Sequence, residues 1–134
     1  MSLTSEERSI LVQREIEKAK SFYSQAEANA MIKLWDVVAN RLYYALFHAV
    51  SALLIKDGHK VGTHKGVVAS FGQYYVKTGI FSSEVGRLYS QLQSLREKAD
   101  YSCLWEAQET DVMPKMGIAK NLLADIECRV ASLC

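Results

Sequence analysis

The chain carries almost no excess of charge of either sign. Its 16 lysines and arginines stand against 15 aspartates and glutamates, a formal net charge of +1 over 134 residues. A protein without a basic body has no general field for nucleic acid, so any such binding must rest on a local patch. Attraction to a membrane surface by bulk charge lacks support on the same ground. Cysteine is scarce: Cys103, Cys128 and Cys134 show neither the paired spacing of a zinc site nor the even count of a disulfide framework, which makes a reducing cytoplasm the expected setting. The start, MSLTSEERSI, lacks the apolar run of a secretory signal. No convincing stretch alternates with period two, no internal repeat recurs, and no low-complexity tract interrupts the chain. Those absences argue against a β-architecture, a repeat array and a disordered chain.

What is present has the composition of an ordinary globular domain, 49% hydrophobic and 23% charged. The length suits one domain, residues 1–134, with a core that needs no disulfide or metal staple. Thr4 or Ser5 caps a first helix with Glu6 and Glu7 near its positive end, and Val12, Ile16, Ala19, Tyr23 and Ala26 recur along one face. A turn between Asn29 and Leu34 leads to a second helix that stops at Asp57 and Gly58. Thr63 caps a third, which carries Val67, Val68, Phe71, Tyr74 and Tyr75 inward and ends at Gly79. Ser82 or Ser83 opens a fourth, seamed by Val85, Leu88, Leu92, Leu95 and Ala99. Thr110 or Asp111 opens the last, with Pro114 in its first turn and Ile118, Leu122, Leu123, Ile126 and Val130 inward. The expected fold is therefore all-α, a five-helix antiparallel bundle. Its second helix, apolar nearly all round, belongs at the centre or at a subunit interface. The run from Val37 to Ile55 is apolar enough to suggest a membrane span, but Asn40, Arg41 and His48 would be costly in lipid, so a core helix is expected.

That second helix contains the segment NRLYYALFHAVSALL, residues 40–54. At helical spacing Arg41, Tyr44, His48 and Ser51 fall on one stripe, with Asn40 at its edge. A buried guanidinium must meet a carboxylate, a phosphate or water. One reading is an internal network in which Arg41 pairs with Asp36, Glu97 or Asp100 and His48 bonds a carbonyl or a tyrosine hydroxyl. The other is a site in which the imidazole moves a proton and the guanidinium holds a phosphate.

A second polar feature is KDGHKVGTHKG, where Lys56, Lys60 and Lys65 outnumber Asp57 and where His59 and His64 add charge at low pH. Thr63 to Gly66 would present free amides at a helix start beside Lys65, a cradle for an anion. His59 and His64 lack a third partner, so neither a metal nor a cofactor is implied. Tyr43, Tyr44, Tyr74, Tyr75, Tyr89 and Tyr101 would stack bases or pack in the core.

Three blocks in order, NRLYYALFHAVSALL, THKGVVASFGQYYVKTG and LQSLREKADY, resemble the HEPN domain, in particular its small stand-alone prokaryotic branch. The resemblance spans nearly the whole chain. It implies a helical bundle, a homodimer packed through central helices, and a role as partner of a minimal nucleotidyltransferase in a toxin–antitoxin-like module. For such a nucleotide- or RNA-binding role the residues implied are Tyr44, Lys60, His64, Lys65, Arg96, Asp100 and Tyr101. The alternative is a metal-independent endoribonuclease, whose signature is an Arg followed at short spacing by a His. Arg41 and His48, with six residues between them, meet that spacing as candidate catalytic residues. Leu42 stands where a polar residue usually follows the Arg, and the later block reads Arg96, Ala99, Asp100, Tyr101 without a His. A purely structural adaptor is the third alternative. A cytoplasmic protein with no membrane contact is expected in each case.

Overall fold

Side-chain caps set the helix starts. In the computed structural model, which describes residues 2–131, the Thr4 amide donates to Glu7 Oε1 at 2.8 Å while the Glu7 amide donates to Thr4 Oγ1 at 3.0 Å. This reciprocal capping box opens α1, Ser5–Met31. The chain reverses through Lys33, whose φ of 60° closes the turn, and enters α2, Trp35–Lys56. Gly58, at φ 81°, ends it. The Thr63 hydroxyl accepts from the Gly66 amide at 3.0 Å and starts α3, His64–Phe71. Ser82 likewise caps α4, Ser83–Tyr101, and α5 runs Glu109–Val130.

Two expected boundaries are corrected. The third helix does not continue regularly to Gly79: it widens at Gly72–Val76 into a π turn, closed by the Lys77 amide on the Gly72 carbonyl at 2.8 Å. Tyr74, expected inward, lies at the surface, stacked on His59 at 3.9 Å, while Tyr75 stays buried. The last helix begins at Glu109, earlier than expected, because Asp111 reaches back to accept from the Gln108 amide at 2.8 Å. Pro114 therefore sits past the first turn, where its missing amide does cost a helical hydrogen bond.

The other four helices pack around α2, which touches each of them. Leu42, Leu46, Val50 and Leu54 are fully buried along it, each contributing about 1.5–3 kcal/mol of apolar burial. Val12, Ile16, Ala19, Tyr23 and Ala26 of α1 close one side, Leu88 and Leu92 of α4 another, and Leu122, Leu123 and Ile126 of α5 a third. By length and composition α2 would span a bilayer, yet 67% of that window is buried inside the bundle. An all-round apolar helix is what the middle of a bundle requires. Cys103 is exposed and free.

Candidate functional site

The polar stripe of α2 divides into separate arrangements. His48 places Nδ1 2.8 Å from Glu15 Oε2 of α1, and its ring stacks on Phe22 at 5.4 Å with the planes 7° apart. Arg41 lies over the same Phe22 ring, 5.0 Å from its centroid. Phe22 is thus the common contact of the two candidate catalytic residues; Arg41 pairs with none of Asp36, Glu97 and Asp100, and His48 meets a carboxylate rather than a carbonyl or a tyrosine hydroxyl. Asp36 accepts instead from the Ala107 amide at 2.7 Å, and Asp100 from Asn40 Nδ2 at 2.9 Å. Among the described residues Arg41 makes no ion pair. Ser51 turns back to its own helix, donating to the Phe47 carbonyl at 2.7 Å.

Arg96 of α4 is the one buried charge among the described residues, 6% exposed. Helical spacing on α4 aligns it with Leu88 and Leu92, so it enters the bundle where those residues enter the core. Three tyrosines meet its guanidinium: Tyr43 at 4.8 Å, Tyr44 at 5.7 Å and Tyr101 at 5.9 Å. Cation–π contact compensates part of the lost hydration. Asp100, one turn on, lies 4.0 Å away. The Arg96 Nε nevertheless has no hydrogen-bond partner, and neither has Gln93 Nε2 one turn earlier. Buried donors left unmade cost free energy. Both residues line an open cleft of about 620 Å³, with Thr63, His64, Lys65, Glu97 and Tyr101 as its other walls.

His64, the first residue of α3, leans into an aromatic box, with ring centroids 4.6 Å from Phe47, 5.5 Å from Tyr44 and 5.7 Å from Tyr43. Its Nδ1 is 3.0 Å from the Tyr43 hydroxyl. Burial first, then the charge of Arg96 and of His48, holds the His64 imidazole below its usual value of 6.5, which keeps it neutral at pH 7. Burial likewise pushes Tyr43 up to about 12 against the pull of Arg96, so its hydroxyl keeps its proton. Where that hydroxyl donates to His64 Nδ1, the hydrogen of the neutral imidazole sits on Nε2.

Of the residues expected to bind, His64, Lys65, Arg96 and Tyr101 line this cleft from α3 and α4, while Tyr44 of α2 and Asp100 of α4 touch Arg96 without lining it. Lys60 is exposed in the connector and is not among the lining residues. Arg41 and His48 form the neighbouring arrangement on the α1 side, joined to the cleft through Phe47, which touches both histidines at 5.2 Å and 4.6 Å. Sequence reasoning missed Gln93, Glu15 and Phe22. Gln93 had a signal, its position one turn before Arg96; the α1 residues had none, because nothing local says which turn of α1 lies against His48. No group of three or more His, Cys, Asp or Glu suited to a metal occurs among the described residues.

The family model described as "HEPN domain" matches residues 12–129. Over 94 residues the chain is 39% identical to a protein of Thermotoga maritima named "UPF0332 protein", covering 70% of this chain and 71% of that one. It is 36% identical over 91 residues to a protein of Methanocaldococcus jannaschii named "Putative toxin", covering 68% of each. A "UPF0332 protein" of Archaeoglobus fulgidus is 28% identical over 94 residues, covering 70% of this chain and 74% of the relative.

Proposed function

The chain belongs to the HEPN domain family, and on that premise we propose that it is a toxin-like HEPN protein that binds a nucleotide or RNA in the Arg96 cleft. The observation that carries this reading is Arg96 itself: a buried guanidinium with an unpartnered Nε, lining a cleft beside Lys65 and the N-terminus of α3. An anion held there would meet the guanidinium, an ammonium and the free amides of the first helical turn. Tyr101, 77% exposed, offers a ring face to a base at the same place. The name of the M. jannaschii relative supports a toxin–antitoxin setting.

In that setting the protein works as a homodimer and as the partner of a minimal nucleotidyltransferase. The apolar rim at the α1–α2 turn, where Met31, Ile32 and Leu34 are exposed, supplies a surface outside the cleft for either contact. Sedimentation of the purified protein, alone and mixed with a neighbouring nucleotidyltransferase gene product, tests both. A monomer that ignores the nucleotidyltransferase would leave only the ligand-binding part of the reading.

One arrangement favours a second reading, metal-independent RNA cleavage. Arg96 and the neutral imidazole of His64 line one cleft, a charge stabiliser beside a proton carrier. The test is incubation with RNA in a chelator, using the parent protein and its His48→Ala and His64→Ala variants. Cleavage lost only with His64 assigns the reaction to the cleft, and cleavage lost only with His48 assigns it to the Phe22 arrangement. Absence of cleavage leaves binding without catalysis.

A further inference from the structure

The charges around the cleft say which ligand it suits. Two cations face it, Lys65 at the rim and Arg96 beneath the tyrosines, while His64 is neutral at pH 7. Two carboxylates oppose them. Glu97 is exposed on the wall, and Asp100 lies 4.0 Å from Arg96, held there by Asn40. One phosphate can be matched by the two cations and the α3 amides. Each further phosphate would add charge beside Glu97 and Asp100 with no third cation in the lining to meet it. Length of ligand is limited in the same way, because the chain has a net charge of only +1 and so no basic body to track a polyanion.

The donor inventory agrees. Arg96 and Gln93, which line the cleft, bring to it a guanidinium that only donates and an amide whose buried Nε2 is without a partner, so a group that meets Arg96 there must supply acceptors. A volume of about 620 Å³ falls within the range of about 300–1,000 Å³ that holds one small ligand.

Resting on the binding reading above, we infer that the cleft selects a free nucleoside monophosphate over a triphosphate and over single-stranded RNA. The phosphate sits on Arg96, Lys65 and the first amides of α3, the base lies on Tyr101, and Glu97 sets the discrimination by repelling additional charge. As a carboxylate at the rim, Glu97 also accepts from a ribose hydroxyl.

Calorimetric titration of the full chain at fixed ionic strength tests the inference, with the four nucleoside monophosphates, their triphosphates, inorganic phosphate and a short single-stranded oligoribonucleotide. At least one monophosphate should bind about tenfold or more tightly than its triphosphate. Glu97→Gln should narrow that gap, Lys65→Ala should weaken the monophosphate about tenfold, and Tyr101→Ala should weaken it while leaving inorganic phosphate unchanged. All three positions are exposed, so these variants report on binding rather than on folding. Arg96→Gln should abolish binding, with circular dichroism as the check that the bundle persists. Tighter binding of the triphosphate or of the oligonucleotide, or a gap that Glu97→Gln leaves unmoved, overturns the inference and leaves nucleotide or RNA binding standing. Failure of every ligand to bind overturns both.

Discussion

The Tyr43 hydroxyl and His64 Nδ1, 3.0 Å apart, tie the middle of α2 to the first residue of α3. Because Tyr43 also faces Arg96 at 4.8 Å, one phenol links the buried charge of α4 to the titratable group at the rim.

The first expectation concerns pH. His64 titrates below 6.5 in the folded chain, chiefly through burial and then through Arg96, so the unfolded chain binds more protons between the two values. Its contribution to stability is complete above about pH 6.5 and is lost as the pH falls toward the folded value. An NMR titration of the imidazole should show the depressed midpoint. Arg96→Gln should raise it without fully restoring 6.5, since burial remains. A midpoint unmoved by that substitution would show that the Arg96 field does not reach the ring.

The Thr63 cap can be removed alone. Thr63→Ala deprives the Gly66 amide of its acceptor and should lower unfolding free energy by about 1 kcal/mol in urea with an unchanged denaturant slope.

Tyr75 anchors the π turn to the end of α2, its hydroxyl donating to Asp57 Oδ2 at 2.6 Å. Tyr75→Phe should cost about 1.5–3 kcal/mol, the range for a hydrogen bond to a charged group. Asp57→Asn should cost less, because an acceptor remains. Equal stability of Tyr75→Phe and the parent would show the contact to be energetically idle.

Leu42 marks the centre of the bundle. Leu42→Ala should destabilise by about 2–5 kcal/mol, whereas Ile10→Ser, on the exposed side of α1, should stay within about 0.5 kcal/mol of the parent. Similar values for both would contradict a core built around α2.

His48 is expected to be structural. His48→Ala removes the bond to Glu15 and the stack on Phe22 and should lower stability by about 1 kcal/mol or slightly more, while ligand affinity at the Arg96 cleft is unchanged. A loss of affinity without a loss of stability would move the functional centre to the Phe22 arrangement.

The fold was legible because periodicity and caps are local signals. The inner face from Val12 to Ala26 and the capping residues Thr4, Thr63 and Ser82 are read within a turn or two of chain. The π turn at Gly72–Val76 was not, since no local pattern in GQYYV marks where a helix widens. The site was half legible. Arg96, Asp100 and Tyr101 are near neighbours on one helix, and His64 and Lys65 follow a visible cap. Their convergence depends on how α3 and α4 lie against α2, which no local pattern encodes. The aligned stripe of Arg41 and His48 was correctly read as one face, but a wheel cannot show that Phe22 lies against both.

By itself the sequence determined that this chain folds into helices, most of the residues they turn inward, and that α2 belongs at the centre or at an interface, because spacing and apolarity dictate burial before any partner is known. Only the tertiary structure decided which charge went without its full set of hydrogen bonds. Arg41 of α2 found Phe22 of α1, whereas Arg96 was drawn in among three tyrosines with its Nε unmade. That difference arises from helix–helix packing, which sets the distance from each guanidinium to its acceptors.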